Sequence, residues 1–446
     1  MQQRRPQKTA ADTYHDSLHL KGSPKQGLLG TTIGFFFGFA AVSLYGPTAI
    51  YFKEALNLTP AMMGLLVAIP ALTGSLLRIP FGAWVDITGG RQPFIILLCT
   101  SVVGMGGVTL LLYTSYPGEM QGMYGLILFL GMLSGCGIAT FSVGIGQTSY
   151  WFPRNQQGMA LGTYAGLGNL APGLFSLILP FYLQQFGFIP AYFAWLLFLV
   201  AGTLIYIFVG VNTYYFQLRK AGKSDEESLD IAKKLGQEVF PSGNVKDSLL
   251  NSAKAGQTWA LVVLYFTSFG GFIALTAWFP IYWNQFHEFS LVKAGIFTAI
   301  FSISASLFRV VGGSISDRLG GEKTSFYSLI LVLFGSAILM ISHNTAYCIV
   351  AVIILSVGMG INNAAVFKMV PIFVPKCIGG AAGWIGGLGA FGGFVIPPLM
   401  GAIADSNNTI GYARGFSVFL ILSIFSIAIV NILIKQHEKR QSLKLG

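Results

Sequence analysis

Residues 75–90, SLLRIPFGAWVDITGG, and residues 306–321, SLFRVVGGSISDRLGG, decide the fold when set side by side. Each closes a long apolar run, each carries one arginine inside that run, and each then turns polar. Ser75 matches Ser306, Arg78 matches Arg309, Gly82 matches Gly313, Asp86 matches Asp317, and Gly89-Gly90 matches Gly320-Gly321, at a constant offset of 231. A second pair repeats at an offset of 221: FPRNQQGMALGTYAGLGNLAPG (152–173) against FVPKCIGGAAGWIGGLGAFGGF (373–394). There Gly158, Gly162, Gly166 and Gly168 meet Gly379, Gly383, Gly387 and Gly389. Two such repeats describe a chain of two pseudo-symmetric halves, the arrangement of many membrane transporters, whose substrate sits near the midplane between the halves.

Composition agrees. Of 446 residues, 54% are hydrophobic and 10% charged, against roughly 25% charged in soluble domains. Twelve apolar stretches are long enough to cross about 30 Å of hydrocarbon as helices: near 27–52, 60–83, 92–114, 122–148, 157–182, 187–211, 257–283, 291–314, 324–343, 346–370, 378–403 and 412–435. The expected fold is an all-α membrane protein, with twelve transmembrane helices in two six-helix halves. The halves are 27–211 and 257–435, joined by a polar linker at 212–256 and flanked by tails at 1–26 and 436–446. The linker, with LRKAGKSDEESLDIAKKLGQEVF, has helical character and reads as a surface segment.

With both termini on the cytoplasmic side, 21 of the 27 lysines and arginines fall on that side and only Lys53, Lys293 and Arg414 on the other. That bias sets the orientation; the expected location is a bacterial-type inner membrane. The net charge of +11 then belongs to a basic inner face and implies no nucleic acid. The polar N-terminal tail does not read as a cleavable signal. Cys99, Cys136, Cys348 and Cys377 show no disulfide or metal spacing and read as packing residues. No metal cluster, nucleophile triad or phosphate loop appears, so neither a cofactor nor an enzyme is expected. A membrane sensor is disfavoured because no signalling domain is appended.

Three cations remain inside the predicted helices: Arg78, Arg309 and Lys368. No aspartate or glutamate enters the membrane region away from a helix end, and His15, His19, His287, His343 and His437 lie outside the helices or at their ends. A buried cation needs a partner, and the missing negative charge is read as the substrate. At an effective dielectric of 20, an anion about 4 Å from a guanidinium gains roughly 4 kcal/mol gross. The arginine fork can meet two oxygens of a planar anion, and the helices otherwise offer aromatics and small residues. A small planar monoanion fits this setting. A monocarboxylate is the alternative, and would ask for one cation and more hydrogen-bond donors.

Residues 82–91, GAWVDITGGR, and 313–323, GSISDRLGGEK, resemble the cytoplasmic loop motif of the major facilitator superfamily. AGLGNLAPG (165–173) and GGLGAFGGF (386–394) resemble the paired signature motifs of that superfamily's nitrate/nitrite porters. The resemblance implies nitrate and nitrite transport by alternating access in a monomer, with the anion held between Arg78 and Arg309. It matches Phe141 in GIATFSVG, Tyr265 and Phe269 in LYFTSFGGF, Asn363 in GINNAAVFK and Asn169 in GLGN to the family's binding residues. Asp86, Asp317, Arg91 and Arg318 become a conformational latch at the inner membrane edge. The eight repeated glycines become close-packing faces that let helices slide. Lys368 falls where porters resembling nitrate–proton symporters carry lysine and exchange-type relatives carry an amide. A buried lysine beside arginines has a lowered pKa and could couple one proton to one nitrate. The expectation leans narrowly to symport over nitrate/nitrite exchange.

Overall fold

The computed structural model describes residues 20–153, 156–241, 245–375, 378–406 and 408–445. Most of the 1–26 tail, with His15 and His19, lies outside the described residues, as does Cys377. Among the described residues, twelve helices are long and apolar enough to cross a bilayer. They are α1 (Pro24–Leu56), α2 (Pro60–Thr88), α3 (Arg91–Ser115), α4 (Tyr124–Trp151), α5 (Met159–Phe186), α6 (Phe188–Val209), α7 (Gly256–Gln285), α8 (Leu291–Leu319), α9 (Gly321–Ile341), α10 (Thr345–Phe373), α11 (Ile378–Asp405) and α12 (Thr409–Lys439). The protein is a multi-pass membrane protein.

Local chemistry sets the helix ends. Ser23 and Thr59 accept from the Gln26 and Met62 amides at the starts of α1 and α2, each followed by a proline at the first helical position. Gly89, Gly187 and Gly320 take positive φ between consecutive helices, a backbone that side chains disfavour. Val103, Leu110, Phe208, Ile421 and Ile424 are exposed, as expected of helix faces turned to lipid.

Several helices break at mid-depth. α1 tightens into 3₁₀ turns at Ala40–Ser43 and Gly46–Thr48, α2 breaks at Leu77 so that a new helical segment begins at Arg78, and α4 tightens at Gly135–Ala139. α7 widens into a π turn at Phe266–Gly270, and α11 is interrupted between Ala390 and Gly392. Such irregularities leave backbone groups free and cluster at functional positions. The first six helices meet the last six along α2 with α11, α5 with α8, and α1 with α7.

The linker is more than a surface segment. It forms helices at Tyr214–Lys220, Asp225–Lys234 and Val245–Ala253. The first two pack Tyr214, Leu218, Ile231 and Ala232 against Trp151 and Phe152 at the end of α4. The third docks on the start of α11, where the Gly380 amide donates to Ser248 Oγ (3.2 Å) and Trp384 Nε1 donates to the Leu249 carbonyl (3.0 Å). The membrane face that carries these helices is called the linker face below. α12 runs past its expected end and brings His437 inside a helix, where it pairs with the buried Glu322 of α9. Cys136 and Cys348 are buried, whereas Cys99 is exposed.

Candidate functional site

Arg78 is only 1% exposed. The break at Leu77 leaves its Nε donating to the Gly74 carbonyl (3.0 Å), while Nη1 crosses to the Gly386 carbonyl of α11 (3.2 Å). That crossing needs a close approach of the two helices: a Cβ on Gly387 would stand 2.7 Å from the Ile79 side chain. Arg309, on α8, donates from Nη2 to Tyr265 Oη (3.4 Å). Arg78 Cζ lies 4.7 Å from the Phe141 ring centre and 5.2 Å from that of Phe269; for Arg309 Cζ the distances are 5.8 and 5.3 Å. Both cations therefore share the same two aromatic faces, a favourable cation–π arrangement. Phe269 stacks on Tyr265 at 4.8 Å and faces Phe141 at 6.0 Å.

One nitrogen of each guanidinium, Arg78 Nη2 and Arg309 Nη1, is buried without a hydrogen-bond partner. Neither arginine forms an ion pair with a carboxylate among the described residues. Two amide oxygens share this condition, Asn169 Oδ1 and Asn363 Oδ1; an amide can turn over and present its NH₂ instead. Asn169 sits against α8, where Ser306 Oγ donates to its carbonyl (3.2 Å), and Ser306 precedes Arg309 by about one helical turn. Asn363 is one turn from Phe367, whose ring meets Tyr265 edge-on at 5.1 Å. Its neighbour Asn362 is fully engaged, donating to the Leu264 carbonyl and accepting from Ser325. The seven candidate binding residues thus fall into a tight core of five, with Asn169 and Asn363 placed at its edge through neighbours.

Other groups of the centre were not singled out in the sequence. Phe35 and Phe39, four residues apart on α1, back Phe141 and Phe269 at 5.3 and 6.4 Å. Tyr164 donates to the Thr140 and Phe141 carbonyls and holds the α4 break. Their aromatic i, i+4 spacing was visible but common to core packing. A cavity of about 500 Å³ runs from Arg78 and Phe141 toward the linker face, past Ser142 and Asp86 to Ser248, Leu249 and Gly379.

Lys368 does not belong to this centre. Its side chain is 46% exposed at the linker face and pairs with Asp317. The expectation of a buried lysine beside the arginines is corrected: α10 continues to Phe373, but the exposed lysine reaches Asp317 in the last turn of α8. Three of the four latch candidates make contacts: Asp86 accepts from Tyr150 Oη (2.5 Å), Asp317 binds Lys368, and Arg91 donates to the Gly210 and Ile207 carbonyls at the end of α6. Arg318 is exposed at the end of α8.

The eight glycines divide. A Cβ on Gly168, Gly387 or Gly389 would press into Phe35, Ile79 or Tyr265, as expected of packing faces. Around Gly162 and Gly379 nothing lies within 4 Å, and Gly166 and Gly383 meet only ordinary contacts. Gly158 lies in the helical turn that leads into α5, within Gln157–Phe186. The expectation of close packing is therefore corrected for Gly162 and Gly379: Gly162 is exposed on α5, and Gly379 lines the cavity at the start of α11.

Twelve spanning helices around a shared two-arginine centre make this a membrane transporter of the two-half type. The model of the Major Facilitator Superfamily matches residues 31–397, and the chain belongs to that family. It is 29% identical over 420 residues to a probable nitrate/nitrite antiporter, NarK1, of Thermus thermophilus, covering 88% of each chain. It is 25% identical to a probable nitrate transporter, NarT, of Staphylococcus epidermidis, covering 93% of this chain and 97% of the relative. These relatives bear out the resemblance to nitrate/nitrite porters. The fold is shared with the xylose transporter XylE of E. coli in a partially occluded inward-open conformation, with a TM-score of 0.70 at 14% identity, covering 93% of this chain and 99% of that one.

Proposed function

We propose that the protein carries nitrate and nitrite across an inner membrane by alternating access, with one anion held between Arg78 and Arg309. The observation that carries this reading is the pair of buried, unpartnered guanidinium nitrogens facing shared aromatic walls. Each asks for an acceptor, and a planar oxyanion can offer an oxygen to each arginine while Phe141 and Phe269 flank it. Asn169 and Asn363 supply further donors once their amides turn. The two arginines repel each other until an anion lies between them, so the anion itself drives the two halves together. Residues 27–211 and 257–435 are the rocking halves, the linker face is cytoplasmic, and the carrier works as a monomer in the bilayer.

The exposed pairing of Lys368 with Asp317 moves the balance from symport to nitrate/nitrite exchange. Neither a histidine nor a carboxylate touches either guanidinium among the described residues, so no proton carrier stands at the anion site. The test is uptake of labelled nitrate into proteoliposomes. Uptake that requires nitrite or nitrate inside, and ignores an imposed pH gradient, supports exchange. Uptake driven by the pH gradient with no internal anion would restore symport, and uptake of a monocarboxylate in place of nitrate would refute the substrate.

A further inference from the structure

The cavity reaches Arg78 from the linker face, and the opposite route is closed along α5 and α8. These two helices run antiparallel with fixed pairings. Ser306 Oγ donates to the Asn169 carbonyl at 3.2 Å, a Cβ on Gly173 would lie 3.1 Å from Ser302 Cβ, and a Cβ on Gly295 would lie 2.3 Å from the Ser176 carbonyl oxygen. Asn169, Gly173 and Ser176 are spaced i, i+4, i+7 on one helix face, and Ser306, Ser302 and Gly295 answer them in turn on the other. α1 closes the third side, where Ser43 Oγ donates to the Pro172 carbonyl (2.8 Å) and sits 3.1 Å from Ser176 Oγ.

These serines are buried, and a zipped interface between apolar helices does not need them. Ser302 makes the point most directly. Its side chain is fully buried, yet its Oγ has no hydrogen-bond partner. An unpartnered buried hydroxyl is unfavourable, and alanine would fill the same space better. Asn169 Oδ1, at the inner end of the same stripe, is likewise unpartnered.

We infer that Ser302, Ser306, Ser176 and Ser43 form a hydroxyl track that passes a small oxyanion between the opposite face and Arg309 when α5 and α8 part, with Ser302 as its free donor. This rests on the reading of the two-arginine centre as an oxyanion carrier. Hydroxyls suit a passage because they donate to an anion without adding charge. Binding along a conduction path must be strong enough to admit an ion and weak enough to release it; another arginine in the track would hold the anion in place.

The test is Ser302→Ala, together with Ser176→Ala/Ser302→Ala, in oriented proteoliposomes with nitrate offered to each face in turn. The hydroxyl bonds to nothing in this conformation, so the unfolding temperature of Ser302→Ala should equal or exceed that of wild type. The KM for nitrate at the opposite face should rise about tenfold, the worth of one hydrogen bond to a charged group, and further in the double variant. The KM at the linker face should stay at the wild-type value. Unchanged KM at both faces in both variants, or an equal rise at both, would overturn the track while leaving the arginine site intact. A wild-type protein that moves no nitrate would remove the arginine reading and the track with it.

Discussion

The two membrane faces of this molecule are built from the same residue type used in opposite ways. On the face away from the linker, glycines lie against backbone of the other six helices: a Cβ on Gly64 would stand 2.4 Å from the Pro397 carbonyl oxygen, one on Gly401 would stand 2.4 Å from that of Pro60, and one on Gly46 would stand 2.6 Å from that of Ala277. Side-chain ties add to the closure, with Lys53 Nζ donating to Gln285 Oε1 (2.7 Å) and the Ala61 amide to Asp405 Oδ2 (3.0 Å). At the linker face, a Cβ on Gly162, Gly313, Gly379 or Gly386 would meet nothing within 4 Å. One face is zipped backbone to backbone; the other holds bare helix surfaces apart around a cavity. The difference teaches that a glycine stripe in this chain is a closing surface, and that its packing depends on which face is shut.

Substituting the zipped glycines should break this comparison with the largest effect. Gly64→Ala inserts a methyl group against backbone that cannot move aside, an overpacking cost of about 1–3 kcal/mol. The expected result is a tenfold or greater shift away from closure of that face, read as a lengthened distance between spin labels at positions 53 and 285, with turnover reduced in proportion. An unchanged distance distribution would show that the contact is not what closes the face. Gly162→Ala should behave in the contrary way: unfolding temperature and label distance within error of wild type, because the added methyl meets open space, but turnover several-fold slower, because the linker face must shut over it. Wild-type turnover in Gly162→Ala would mean that this stripe never closes.

Lys368→Gln is expected to do less, changing exchange by no more than about threefold, since an exposed ion pair contributes only about 0–1 kcal/mol. Loss of a pH-driven component in this variant would reinstate proton coupling. The smallest effect concerns His287, between α7 and α8, which contacts Tyr282 and Thr345. Burial first, then His343 and Lys293, hold its pKa below the ordinary 6.5. The folded state therefore keeps it neutral where the unfolded chain takes up a proton, so stability falls as pH drops below about 7. His287→Gln should flatten this acid loss slightly; an unaltered pH profile of unfolding would dismiss the contribution.

Much of this architecture is legible in the residues alone. Apolar runs mark all twelve spans, because a bilayer demands them at nearly fixed length. The repeat around Arg78 and Arg309 locates the centre, because a cation in that setting has no bland use in two places at once. Arg309, Tyr265, Phe269 and Phe141 then meet as the motifs suggest. The place of Lys368 is not legible, because helix membership says nothing of which way a side chain leaves the helix, and its partner Asp317 lies 51 positions away. The docking of Val245–Ala253 was hidden for a similar reason: Ser248 and Gly380 are 132 positions apart, and a polar helix carries no mark of its receptor. The π turn at Phe266–Gly270 leaves no proline or charge signature either, whereas the break at Leu77, which aims Arg78, is written in Pro80, whose ring cannot donate back to Leu76.

The most direct test of the central claim is calorimetric titration of nitrate into the purified protein, comparing wild type with Arg78→Lys and Arg309→Lys. Lysine keeps the charge but loses the fork. If one anion bridges both guanidiniums, wild type should bind a single nitrate, and each variant should bind it about tenfold to a hundredfold more weakly, the worth of one lost charge-assisted contact, with unfolding temperatures near wild type. Near-wild-type affinity in both lysine variants would contradict the account, because charge alone would then suffice and the two-arginine clamp would not be what holds the anion.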